Sequence, residues 1–247
     1  MTRTKRLCRI DKLGCVYCDS KSFSHSPVIN EELAKTWGLS QRERWSFDQR
    51  EGNICSSCRM SKRVRMLLWS LERILPAANN AAILHLNRTN ELGKALSQFG
   101  PVLETAYIPD QPTGVIVNGI LNQDMACLTF DSNTFDVAIH SETLEHMADY
   151  ERALLEVHRI LHPGGCQVYS IPLIHNRSTR QRIKIDSSGK PVNLLPPSFH
   201  GNEAEFAVFW EFGGDFLAKR GELISEIHYD NYWFNRTVFT VIERKPA

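Results

Sequence analysis

Cys15-Val-Tyr-Cys18 and Cys55-Ser-Ser-Cys58 are two C-x2-C pairs separated by 36 residues. Each turn puts two thiolates on one side of a tight loop. Two such loops facing each other would present four sulfurs to one ion in the tetrahedral geometry of structural zinc. Thiolates select zinc or iron–sulfur over harder metals, and zinc is the commoner outcome for a two-knuckle ribbon. A redox role would need a thioredoxin-like strand–helix context, which these pairs lack. Seven cysteines, an odd number with no export signal ahead of them, argue against a disulfide framework. Cys8 lacks a partner at metal spacing, and Cys127 and Cys166 sit in an apolar pattern and read as core thiols.

A second constellation is Glu142-Thr-Leu-Glu145-His146. On a helix its two carboxylates and imidazole would share one face. That face could hold Mg or Mn, or His146 could act as a general base, since an unperturbed imidazole titrates near ~6.5. The bland alternative is that His146 only packs and orients a loop. A third group, His175, Arg177, Arg180 and Arg182 with His200 further on, could line an approach for an anionic acceptor or form a solvated loop.

The elements that must position these groups come from composition and periodicity. The chain has 247 residues, 42% hydrophobic and 23% charged, ordinary for a soluble globular protein. No apolar run approaches the ~18 residues of a membrane helix, and a cytoplasmic location is the expectation. Charge is uneven: residues 1–75 carry 15 Lys/Arg against 8 Asp/Glu, and residues 76–247 carry 14 against 20. Two modules with different surfaces explain this, or a basic module that meets an anionic partner. The expected organisation is a four-cysteine module over 1–62, a connecting helix and linker over 63–80 and a third part over 81–247. Within the first, Glu31 to Trp37 predicts a short helix and Trp45 to Phe47 an extended piece. Arg59, Arg63 and Arg65 read as the solvated face of the connecting helix, with a ligand site as the alternative. From residue 81, strand and helix alternate. Phe135 to His140 reads as a buried strand, Asp149 to Leu161 as an amphipathic helix with Leu154, Leu155, Val157, His158 and Leu161 inward, and Cys166 to Pro172 as the next strand. Phe209, Trp210, Phe212 and Phe216 have helical spacing and read as core, with an acceptor-stacking surface as the alternative, and Tyr229 to Phe234 reads as a hairpin turn or acceptor-pocket segment. Such alternation predicts an α/β fold with a mainly parallel sheet.

The block Leu128-Thr-Phe-Asp-Ser-Asn-Thr-Phe-Asp-Val-Ala-Ile-His-Ser-Glu-Thr-Leu-Glu-His-Met147, followed by Ala153 to Gly165 ending in Arg159-Ile-Leu-His-Pro-Gly-Gly165, resembles the central block of S-adenosylmethionine (SAM) dependent, Rossmann-like (class I) methyltransferases. Ile83-Leu-His-Leu86 resembles strand one of one branch. Asn122-Gln-Asp-Met125 resembles its adenine-contacting element. Pro196 to Gly201 and Phe209 to Leu217 resemble a segment of members with an N-terminal zinc ribbon, often associated with glycan or secondary-metabolite assembly. The resemblance implies a doubly wound, mainly parallel Rossmann-like sheet preceded by a small zinc-ribbon-like module. It implies SAM held by His85, Leu86, Asn87, Tyr107, Asp124, Met125 and Ser141. Catalysis would fall to His146, Glu142 and Glu145. An acceptor (a sugar, glycan or other small metabolite, methylated on oxygen) would meet His175, Arg177, Arg180 and His200. The Glu142–His146 arrangement resembles the Mg or Mn site of certain O-methyltransferases.

Two positions depart from that pattern. The turn after strand one reads Asn87-Arg-Thr-Asn-Glu91 where relatives carry glycines, and the acid expected at the end of strand two is Ala106, with Glu104 or Asp110 as substitutes in another register. These departures motivate an alternative, a catalytically silent methyltransferase-like binding or scaffold protein with a zinc ribbon. A nucleic-acid methyltransferase anchored by the basic module is a further alternative, though neither an aromatic-basic RNA signature nor a base-methylation motif is present.

Overall fold

The computed structural model describes residues 14–75, 80–174, 176–200, 206–218 and 240–247. They fall into two compact units: 14–75 and 80 with 89–100 and 240, and 81–88 with 101–174, 176–200, 206–218 and 241–247. Cys8, the linker residues 76–79, His175 and the stretch Tyr229 to Phe234 lie outside the described residues.

In the first unit a two-stranded antiparallel ribbon joins β1 (Phe23–His25) to β2 (Asn53–Cys55), with Phe23 opposite Cys55. Between them run α1 (Glu31–Thr36) and α2 (Gln41–Gly52). The extended piece expected at Trp45 to Phe47 is therefore helical. The reason is local: Ser40 Oγ accepts from the Glu43 amide while the Glu43 carboxylate accepts from the Ser40 amide at 2.8 Å, a reciprocal cap that starts a helix just ahead of the tryptophan. Phe47 then packs edge-on against Trp37, ring centres 6.2 Å apart. The connecting helix is α3 (Lys62–Ile74), capped by Ser61, with Val64, Leu67, Leu68 and Leu71 buried. Arg59 is exposed as expected, but Arg63 and Arg65 are not a solvated face. Arg65 is buried, donates to Met60 O at 2.7 Å and lies over the Phe23 ring, Arg63 pairs with Glu51 at 2.8 Å, and Arg59 precedes the helix. A guanidinium is donor-rich enough to be buried when carbonyls converge on it, which periodicity cannot reveal. The same unit also holds α4 (Asn90–Leu96).

The second unit is built on a seven-stranded sheet. Its strands are β3 (Ile83–His85), β4 (Val102–Ala106), β5 (Ile116–Val117), β6 (Ile120–Asn122), β7 (Phe135–Ser141), β8 (Leu161–Ser170) and β16 (Val241–Arg244), in the order β16-β8-β7-β3-β4-β6-β5. β6, β4, β3, β7 and β8 are parallel, and β5 and β16 run antiparallel at the two edges. Parallel strands covered on both faces must be apolar throughout, as Val137, Ala138 and Ile139 are. β8 starts earlier than expected. Leu161 pairs with Phe135, the chain bulges through Pro163-Gly164-Gly165, with Gly164 at φ 80°, and pairing resumes with Cys166 opposite Val137.

The helix before it, α5 (Tyr150–Ile160), is capped by Asp149 and buries Tyr150, Ala153, Leu154, Val157 and Ile160. Leu155 is 71% exposed and His158 also lies off this inner row, so the inner face is rotated from the expected one. Likewise Cys166 is buried as expected, whereas Cys127 is exposed in the turn after Asp124. Beyond β8 the chain adds short strands β9 (Leu173–Ile174), β10 (Arg180–Gln181), β11 (Ile183–Ile185), β12 (Pro191–Asn193), β13 (Phe199–His200), β14 (Phe206–Ala207) and β15 (Trp210–Gly213), then α6 (Gly214–Ala218). The helix face expected of Phe209, Trp210, Phe212 and Phe216 is thus a strand followed by a short helix. Phe212 and Phe216 still meet, 4.7 Å apart, because β15 turns directly into α6.

His140 sits in the middle of this core, fully buried, stacked on Tyr169 at 4.8 Å and 8°, and neither ring nitrogen has a hydrogen-bond partner among the described residues. Burial, with a smaller push from His85, drives its pKa down to about 3. The unfolded imidazole takes up a proton near ~6.5. Stability is therefore fully present above that pH and is lost as pH falls through the window down to about 3. The slope attributable to His140 is at most about 1.4 kcal/mol per pH unit. In urea melts, His140→Phe is expected to flatten that acid dependence. Equal slopes in the two proteins would contradict this account.

Candidate active site and metal centre

The two C-x2-C turns fold alike. Cys15 O accepts from the Asp19 amide at 2.8 Å and Cys55 O from the Arg59 amide at 3.0 Å, and the residue after each second cysteine, Asp19 (φ 57°) or Arg59 (φ 63°), is left-handed. Cys15 Sγ lies 3.5 Å from Cys58 Sγ, and Cys18 Sγ lies 3.6 Å from Cys55 Sγ. All four sulfurs fall within 4.8 Å of one another. A tetrahedron with Zn–S bonds of ~2.3 Å has edges of about 3.8 Å, so these residues fit zinc. Burial pushes the Cys55 thiol up, but the amides of Cys58 and Ser57 and the neighbouring thiols outweigh it and bring its pKa to about 6. Burial raises Cys15 and Cys58. Among the described residues this is the group of His, Cys, Asp and Glu side chains that gathers as a metal site would.

Glu142, Glu145 and His146 do not share a helix face. Glu142 follows β7 with φ 48°, and only Leu144–His146 form a single 3-10 turn. The left-handed residue breaks the helical register on which the expected Mg or Mn site depended. What the turn does build is a fixed imidazole. His146 Nδ1 is 3.1 Å from Ala207 O, and since a carbonyl only accepts, Nδ1 carries the proton in the neutral ring. Nε2 then holds the lone pair, 3.6 Å from the fully buried Glu145 carboxylate. Phe206 tilts against the ring at 5.8 Å, and burial lowers the imidazole below its ordinary pKa despite the bond to Ala207. Phe206 and Ala207 carried no chemical signal in the sequence.

The residues assigned to SAM lie on and just after the carboxyl ends of β3, β4, β6 and β7, where open parallel sheets bind ligands. Asn87 has φ 57°, the conformation a glycine would supply, and its side-chain amide reaches Thr143 Oγ1 at 3.4 Å. Asn is the residue after Gly that best tolerates that region, so the glycine-free turn still turns. Leu86 is buried and its amide donates to Ile139 O at 2.9 Å. His85 is also buried, Nδ1 3.2 Å from Glu104, and desolvation lowers its pKa against the pull of that carboxylate. Glu104 is two residues short of the strand end and is shared with Arg88 at 4.0 Å. β4 does end at Ala106, with Tyr107 exposed beyond it. Asp124 accepts from the Ala126 amide at 2.8 Å, Met125 is buried, and Ser141 Oγ meets Ser170 Oγ at 3.0 Å.

Of the acceptor-side residues, Arg177 and Arg180 do come together, but on an acid the sequence reading did not single out. Arg177 lies 3.6 Å from Glu211, and Arg180 and Arg182 both donate to it. The one available signal was an acid inside an aromatic strand, which must find a partner if buried. His200 lies on β13, opposite Phe206, and its side chain is outside the described residues.

The parallel strands, flanked by antiparallel β5 and β16, form a mixed, mainly parallel sheet of Rossmann-like type, and residues 101–169 match the family model described as a methyltransferase domain. The four-cysteine cluster precedes this matched stretch in the chain and is compatible with a small zinc-ribbon-like module. Similar solved structures include a SAM-dependent methyltransferase from Mesorhizobium loti, 20% identical, covering 72% of this chain and 98% of that one at a TM-score of 0.46. Another is the 1,6-didemethyltoxoflavin-N1-methyltransferase of Burkholderia thailandensis, solved with bound 1,6-didemethyltoxoflavin and S-adenosylhomocysteine, 16% identical over 92% of this chain and 97% of that one at a TM-score of 0.45. A candidate methyltransferase from Bacillus halodurans is 14% identical over 49% of this chain and 54% of its own length at 0.35. No curated protein matches. Among the described residues no helix is long and apolar enough to cross a membrane.

Proposed function

We propose that the chain transfers a methyl group from SAM to an oxygen of a sugar, glycan or other small metabolite. In this reading, residues 1–62 are a structural zinc module, 63–80 connect, and 81–247 bind cofactor and acceptor. The observation that carries it is His146, held beyond the carboxyl end of β7 by the bond from Nδ1 to Ala207 O, with Nε2 3.6 Å from the Glu145 carboxylate. Methyl transfer from a sulfonium needs mainly alignment, and an alcohol acceptor also needs a base. Asn87, Leu86, Tyr107, Asp124, Met125 and Ser141 would hold SAM, which supplies the electrophilic methyl group. Isothermal titration of the zinc-loaded chain with S-adenosylhomocysteine tests the reading, and failure to bind at near-millimolar cofactor would end it. That failure would favour the second reading, a silent binding protein, which Ala106 at the end of β4 supports because no acid stands there for the ribose.

If His146 is the base, His146→Gln should lower kcat by about 10²- to 10⁴-fold while S-adenosylhomocysteine binding persists. Because burial lowers its pKa, the neutral form persists to lower pH than for a free imidazole. The rising limb of kcat against pH is expected below ~6.5, and a limb above that value would exclude His146.

A further inference from the structure

One hydroxyl ties the exits of β3 and β7 to each other. These strands are parallel neighbours, with His85 in register with Ile139. Each leaves the sheet through a left-handed residue that is not glycine, Asn87 at φ 57° and Glu142 at φ 48°. Both exits are pinned by the strands beside them. The Leu86 amide donates to Ile139 O of β7 and the Arg88 amide to Thr105 O of β4, both at 2.9 Å, so the backbone is held on either side of Asn87. The Glu142 amide donates to Ser170 O of β8 at 3.1 Å.

Thr143 comes next and is 9% exposed. A threonine hydroxyl has one proton to give. Thr143 gives it to Ser141 O at 3.2 Å, so towards Asn87 the oxygen accepts, from Nδ2 at 3.4 Å. The Thr143 carbonyl meanwhile accepts from the His146 amide at 3.1 Å. The hydroxyl that meets Asn87 is therefore anchored by side chain and main chain alike.

A left-handed turn at the carboxyl end of a parallel strand lets backbone approach a ligand closely, and glycine leaves that approach open. Asparagine makes the same turn at small conformational cost but brings a side chain with it. An untethered carboxamide is free to swing across the space beside the turn. The bond to Thr143 holds it against the neighbouring strand exit instead.

We propose that Thr143 is a positioning residue for the cofactor turn: its hydroxyl tethers the Asn87 side chain and so keeps the turn open to SAM. This rests on the methyltransferase reading above. It explains how Asn87-Arg-Thr-Asn-Glu91 serves where relatives carry glycines. Thr143 acts through Asn87, so its importance disappears when position 87 has no side chain.

The test is a double-mutant cycle read by calorimetric titration of the zinc-loaded full chain with S-adenosylhomocysteine. Thr143→Val removes the hydroxyl and should weaken binding about three- to fivefold, the scale of one neutral hydrogen bond. Thr143→Ser keeps the hydroxyl and should bind as the parent does. In an Asn87→Gly background, Thr143→Val should leave the affinity unchanged. Glycine takes φ 57° without strain and valine is close to threonine in size, and urea melts on each variant check that it folds. The bond to Ser141 is lost in both backgrounds, so a merely structural role for Thr143 would weaken binding in both. Equal affinity of Thr143→Val and the parent, or an equal loss with and without Asn87, overturns the tether while leaving the methyltransferase reading in place. Failure of the parent itself to bind at near-millimolar cofactor ends that reading and the tether together.

Discussion

Cys55→Ser is expected to release the metal and unfold the segment from residue 14 to 75. Cys55 is fully buried, its Sγ lies 3.6 Å from that of Cys18, and two knuckle amides already favour its thiolate. A serine hydroxyl supplies neither the soft anion nor the bond length. The segment from 14 to 75 has little to fall back on: a ribbon of two three-residue strands and three helices around Trp37, Phe47, Met60 and Leu67. In modules of this size, structural zinc contributes folding free energy directly, on the order of 10–16 kcal/mol at neutral pH. Elemental analysis should find stoichiometric zinc in the parent chain and none in the variant. Hydrogen exchange should accelerate over 14–75 while β7 keeps its protection. Cys166→Ser, a buried thiol outside the cluster, should keep the metal. Retention of zinc and of slow exchange in Cys55→Ser would mean the four sulfurs are not the site.

Glu211→Ala should be the most damaging single change in the second unit. It strands Arg182, whose side chain is 1% exposed and whose Nη1 donates to Glu211. Removing one partner of a buried pair costs about 3–5 kcal/mol because the remaining charge is left uncompensated. Only the Arg182–Glu211 pair carries that cost. Arg180 is 42% exposed and water screens it. Urea melts should show the midpoint falling sharply in Glu211→Ala and hardly moving in Glu31→Ala, whose side chain is 93% exposed 3.7 Å from Arg44. An unchanged midpoint in Glu211→Ala would mean the cluster does not stabilise the fold.

How much of this was legible in the sequence follows from the range of the forces involved. Short-range periodicity placed β7, α5 and α3 to within a few residues, because a buried strand and an amphipathic helix write their burial into nearest neighbours. It failed at Trp45 to Phe47, where a cap at Ser40 and Glu43 outweighed the aromatic pattern, and at Leu155, where the buried row runs through Tyr150, Ala153, Leu154, Val157 and Ile160 instead. The E-x-x-E-H spacing promised a shared face only if the backbone was helical, and one left-handed residue at Glu142 removed that condition.

By itself the sequence determined the chemistry available: four thiols on two C-x2-C turns, a histidine beside two acids, arginines after a strand, and the methyltransferase-type block from Leu128 to Pro172. Those are properties of residue type and local spacing. Tertiary structure decided which of these groups meet. It drew Cys15 and Cys18 to Cys55 and Cys58 across the ribbon, gave Asn87 the turn a glycine would make, locked the His146 tautomer with Ala207, and set three arginines on Glu211. These pairings are separated by tens of residues along the chain. They depend on strand register and carbonyl direction, quantities that exist only once the chain has folded.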